Sequence, residues 1–182
     1  SPHLVRLMLT RRSPHRCRSP RLLLPAVLVA LPCLVPAQTW QVTITDLGAL
    51  PGGVSASARA INDAGKVVGM ATDATFASYT VEWVNGQIAV LPVPGLSGAS
   101  IPTDVNDAGE IAGYYSVGSQ RQGIYWNPSN TPFLMSGFPG GGSLFSVATA
   151  INSSGLVAGR ASGAAPTFPT HALIWHGAAF QT

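Results

Sequence analysis

Charge is scarce in this chain, with 9% of residues Asp, Glu, Lys or Arg, and it is unevenly spread. No Asp or Glu precedes Asp46, while Arg6, Arg11, Arg12, Arg16, Arg18 and Arg21 all fall before residue 22. Beyond residue 37, four basic residues face seven acidic ones, a formal charge of −3. The net +3 of the whole chain therefore belongs to its first segment, and no nucleic-acid partner is expected. Cysteine is almost absent: Cys17 and Cys33 stand in the first segment and none follows. Disulfide frameworks and thiolate metal sites are thereby excluded from the rest, which must fold on an apolar core.

Catalytic spacings are missing too. There is no Gly-x-Ser-x-Gly elbow, phosphate loop, His-Glu-x-x-His or Asp-x-Asp-x-Asp-Gly calcium loop. Gly140-Gly141-Gly142 opens no helix that could present amides to a phosphate. His171 and His176 lack a third ligand, so no metal or other cofactor is expected. Asn152-Ser153-Ser154 has the form of a glycosylation sequon, but it occupies a turn that the repeat explains.

What the chain has is an N-terminal leader and a repeat. Residues 1–37 read as a signal peptide with an extended basic n-region. An apolar run from Leu22 to Val35 follows the arginines, and Val35-Pro36-Ala37 puts small residues at −3 and −1 of a cut before Gln38. Pro25 and Pro32 break that run, and 14 residues fall short of the roughly 20 a bilayer span requires. The mature protein is expected outside the cytoplasm, secreted or periplasmic, with no membrane span after signal removal.

The repeat begins at Ile61, Val105 and Ile151, a period of 44 to 46 residues, which suits one supersecondary unit written three times. Four strand signals recur in each unit. The first pair flanks Asn62-Asp63-Ala64-Gly65, Asn106-Asp107-Ala108-Gly109 or Asn152-Ser153-Ser154-Gly155. These read as four-residue hairpin turns, with Asn62, Asp63, Asn106, Asp107 and Asn152 capping their own backbone and Gly65, Gly109 and Gly155 supplying positive φ. Gly69, Gly113 and Gly159 mark a bulge or close approach inside the second strand. The third strand ends on Trp83, Trp126 or Trp175; one aromatic per unit at one place is the pattern of a core anchor. Asn85-Gly86 then signals a tight hairpin into the fourth strand, the last of which is Ala178 to Thr182. Gln41 to Asp46 alternates with period two and reads as an orphan fourth strand.

The expected fold is all-β: residues 38–182 form a β-propeller-like array of about three four-stranded repeats, roughly 46–91, 92–136 and 137–182, either a fragment of a ring or one that further copies complete. The alternative is a β-trefoil or β-prism with three-fold pseudo-symmetry. Asp46-Leu47-Gly48, Ser55 to Gly69 and His171-Ala172-Leu173-Ile174-Trp175 resemble the HAF repeat family of bacterial extracellular proteins, over residues 41 to 182. The resemblance implies a secreted propeller-like module of bacterial origin and no established catalytic activity.

In an up-and-down meander the loops between second and third strands share one end, and they vary between units. Function concentrates on variable loops held by a rigid scaffold. Phe76, Tyr115, Arg121, Phe168 and His171, in or beside those loops, form the candidate binding face. The expected function is an exported non-enzymatic repeat module that binds protein or glycan. The alternatives are a secreted carbohydrate-active enzyme fragment, for which Asp104 is the best placed acid, or a truncated product without independent function. A homo-oligomer completing a ring is the other expected association.

Overall fold

The computed structural model describes residues 41–93, 99–135, 145–162, 169–176 and 180–181. The chain divides into two compact units, Ser1–Asp46 and Leu47–Thr182. The leader, both cysteines, most of the glycine-rich links and Phe168 lie outside the described residues. In the first unit, Gln41 to Asp46 does not form the orphan strand that its alternation predicts. Val42 and Ile44 stand exposed, and alternation stabilises a strand only where a neighbour takes its hydrogen bonds.

The second unit is all-β. Its strands are β1 (Ser55–Ile61), β2 (Val67–Thr72), β3 (Ser78–Val84), β4 (Gln87–Val90), β5 (Ala99–Val105), β6 (Ile111–Val117), β7 (Gln120–Trp126), β8 (Pro132–Met135), β9 (Ser146–Ile151), β10 (Val157–Ser162), β11 (Thr170–Trp175) and β12 (Phe180–Gln181). All pairings are antiparallel. The first repeat makes the sheet β1-β2-β3-β4 and the second makes β5-β6-β7-β8.

The third repeat departs from the four-strand expectation. Its sheet is β11-β10-β9, while β12 adds to the second sheet, Phe180 opposite Met135 and Gln181 opposite Leu134. The free edge of β8 offers unpaired backbone groups, and an edge of this kind accepts any extended segment within reach.

The glycine inside each second strand has the cause that its position predicts. The register slips by one residue on the facing strand, between Ala58 and Ala60, between Pro102 and Asp104, and between Ala148 and Ala150. The bulge drives a backbone carbonyl toward the glycine, so that a Cβ at Gly69, Gly113 or Gly159 would strike the oxygen of Ser57, Ile101 or Val147.

The apolar core lies between successive sheets. Val67, Ala71, Val81 and Trp83 on one face of the first sheet pack with Leu47 and Leu50 from the segment ahead of β1. Its other face contributes Val68, with Leu91 at the end of the first repeat, to a cluster with Val105, Ile111, Ile124 and Trp126 of the second repeat. Ala112 and Tyr125, on the far face of the second sheet, pack with Ala148, Ile151, Val157, Ala161 and Trp175 of the third. The tryptophan that ends the third strand of each repeat is thus a buried anchor. The indole N–H of Trp83 donates to Gly48 O at 3.2 Å and that of Trp126 to Pro92 O at 2.7 Å, which ties each sheet to the segment leading into it.

Candidate binding surface

Strand polarity puts two kinds of connection at opposite ends of these sheets. At one end lie the turns β1–β2, β5–β6 and β9–β10, whose glycines have φ of 81°, 85° and 74°. In each turn the Asn side-chain oxygen accepts the N–H four residues on, from Lys66, Glu110 or Leu156. The amide nitrogen of the same side chain points to the next repeat: Asn62 Nδ2 donates to Asn106 O at 2.8 Å, and Asn106 Nδ2 to Asn152 O at 2.9 Å. Asp107 does not cap its own turn as the sequence suggests; its carboxylate accepts the N–H of Asp63. The turns are therefore stacked, and their polar residues join repeats as well as closing hairpins.

Charged groups follow the same stacking. Lys66 pairs with Glu82 at 2.8 Å and donates to Gly109 O and Asn130 Oδ1. Glu110 accepts Tyr125 Oη–H at 2.6 Å and the Asn106 amide. Burial, then the Glu110 hydrogen bond, pushes the Tyr125 hydroxyl well above the ordinary tyrosine pKa. Asp104 is likewise occupied by structure, accepting the N–H of Val105 and, from the next repeat, of Ile151.

At the other end lie the connections between second and third strands, where the candidate residues meet different fates. Phe76 is at the tip of a short loop, 74% exposed and held at φ 64°. Asp73 builds that loop: Oδ1 accepts from the Thr75 N–H, the Thr75 hydroxyl and the Ala77 N–H, and Oδ2 accepts from the Tyr79 hydroxyl. These bonds, the Thr75 hydroxyl foremost, hold the Asp73 carboxyl below its ordinary pKa, and the same carboxylate raises that of Tyr79.

In the second repeat this connection is only a tight turn at Gly118-Ser119, because β6 and β7 run on to Val117 and Gln120. Tyr115 faces inward and is 6% exposed, so it is a core residue and leaves the candidate face. Arg121 belongs to β7 and lies half-buried with its guanidinium 5.1 Å from the centre of the Tyr114 ring. His171 is exposed on β11 opposite Ala161. The arrangement thus keeps Phe76, Arg121 and His171 near one end and withdraws Tyr115. Nothing in the repeat marks Asp73, because a lone aspartate in a variable loop has no counterpart in the other copies; its local signal is the Asp-x-Thr spacing of an Asx turn.

No group of three His, Cys, Asp or Glu side chains suited to a metal ion occurs among the described residues. No helix among them is long and apolar enough to cross a membrane. Comparison with protein-family models, curated proteins and solved structures gives no match.

Proposed function

We propose that this chain is an exported, non-enzymatic repeat module of the HAF type, a scaffold that binds protein or glycan at the end carrying the β2–β3 loop. Phe76 carries the reading. A phenylalanine that is 74% exposed at a positive φ costs the fold energy and contributes nothing to its core. Yet Asp73 fixes the loop that displays it with four hydrogen bonds. A rigid aromatic displayed to solvent is a low-entropy contact for an apolar sugar face or a protein groove.

Export rests on the arginine-rich start and the apolar run before Ala37. Successive sheets packed face to face, with β1, β5 and β9 adjacent, favour propeller blades over a trefoil. Phe76→Ala is expected to abolish capture of partners on a glycan array and in a cell-surface pull-down while leaving the thermal midpoint unchanged. Unaltered capture by that variant refutes the reading.

A further inference from the structure

The two internal interfaces are built from equivalent residues, and the third sheet carries the same face uncovered. Val68, Thr80 and Glu82 on the first sheet are buried by the second repeat; Ala112, Gly123 and Tyr125 at the same places on the second sheet are buried by the third. On the third sheet these places hold Ala158, Ala172 and Ile174, all exposed, Ile174 by 66%.

The opposite side of the array mirrors this. Val105 and Ile151, which end β5 and β9, are 5% and 8% exposed, whereas Ile61, which ends β1, is 64% exposed. Ala58 is exposed where Pro102 and Ala148 are buried.

The polar ladder breaks off at matching points. Asn62 and Asn106 each donate to the next repeat's Asn carbonyl, but among the described residues the Nδ2 of Asn152 has no acceptor. Asn106 O accepts from both Gly109 N and the preceding Asn, while among the described residues Asn62 O accepts only from Gly65 N. Over the turn glycines, Lys66 Nζ lies 3.9 Å from a Cβ built on Gly109 and Glu110 lies 3.0 Å from one on Gly155, but nothing lies within 4 Å of one on Gly65. The residue equivalent to Lys66 and Glu110 in the third repeat is the exposed Leu156.

At two of these places the chemistry has also turned apolar, although Arg160 stands on the same face where the other repeats have Met70 and Tyr114. The pair Lys66 and Glu82 of the first repeat, and Glu110 and Tyr125 of the second, become Leu156 and Ile174 in the third. A solvated face would keep the polar pair; an apolar one gains only when it is covered.

We infer that the face of Ile174 and Leu156 receives the β1 face of a second copy of this chain, head to tail, reproducing the interface that already joins its own repeats. Asn152 Nδ2 then donates to Asn62 O of the second copy, Leu156 covers its Gly65, and Ile174 meets its Ile61 side. Because the two surfaces differ, the contact is heterologous, and successive copies close a ring or extend a filament.

Sedimentation of the full chain tests this, alone and as Ile174→Lys and Ile61→Lys. Both isoleucines are exposed in the single copy, so either variant should keep the parent's circular dichroism and thermal midpoint. The parent is expected to associate as concentration rises. Each variant should weaken association about 100-fold, because a lysine without a partner would be buried. An equimolar mixture of the two variants should restore a 1:1 complex, one sound face on each meeting the other, and go no further. A parent that stays monomeric, or association that Ile61→Lys leaves intact, as a back-to-back dimer through Ile174 requires, overturns the inference.

Discussion

Asn106 sits at the middle of three stacked turns and does two jobs with one side chain. Its oxygen closes its own hairpin on Glu110 N and its nitrogen reaches Asn152 O, and it is the buried member of the series. Asn62 makes the equivalent bonds half-exposed, and Asn152 makes only those of its own turn. A buried polar partner left without its bond costs about 1–3 kcal/mol, so Asn106→Ala should destabilise by that amount, Asn62→Ala by less and Asn152→Ala least. Urea midpoints of the three variants measure the order. The equivalence of these residues was legible in the sequence, because the Asn recurs in every copy. That its amide reaches across to the next repeat was not, since spacing along a chain does not say which turns lie side by side.

Two glycine types that look alike in the repeat differ at the level of the strand and turn. Gly65 lies at φ 81° with open space where a side chain would stand, so alanine there costs only the left-handed backbone, about 1–2 kcal/mol. Asparagine should cost less, as the chain itself places Asn85 and Asn130 at φ 52° and 61°. Gly113 has no room: its Cβ would meet the Ile101 carbonyl across the β5–β6 bulge. Gly113→Ala must part that pair of strands and is expected to lower the thermal midpoint more than Gly65→Ala does. Thermal melts of Gly65→Ala, Gly65→Asn and Gly113→Ala give the comparison. The element pattern was readable wherever a repeat made it redundant. It failed at Gln41 to Asp46, where alternation is present without a strand, and it put β12 in the wrong sheet, because pairing depends on which sheet edge lies near.

Polar groups are buried between the stacked sheets, and this makes stability depend on pH. Tyr125 packs against the third repeat with its hydroxyl on Glu110, and its pKa is raised. A raised folded pKa means that the stabilisation is complete below the unfolded tyrosine value of about 10 and is lost as pH rises through the folded one. Stability of the parent should therefore fall at alkaline pH, and Tyr125→Phe should flatten that fall. Urea titrations between neutral and strongly alkaline pH check it; an equal fall in both proteins removes Tyr125 as the cause.

The sequence by itself determined the unit: strands, hairpin glycines, bulge glycines and tryptophan anchors follow from local propensity and from three copies agreeing at the same positions. It also marked the variable loops, because disagreement between copies is visible in the same alignment. Only the tertiary structure decided which side chains those loops expose. Tyr115 lies inward because the pleat of β6 puts it on the face of Ile111 and Gly113, and Phe76 stays out because Asp73 folds the loop beneath it. Tertiary structure also decided that Leu156 and Ile174 share an uncovered face, since burial is a property of neighbouring sheets and no single repeat contains it.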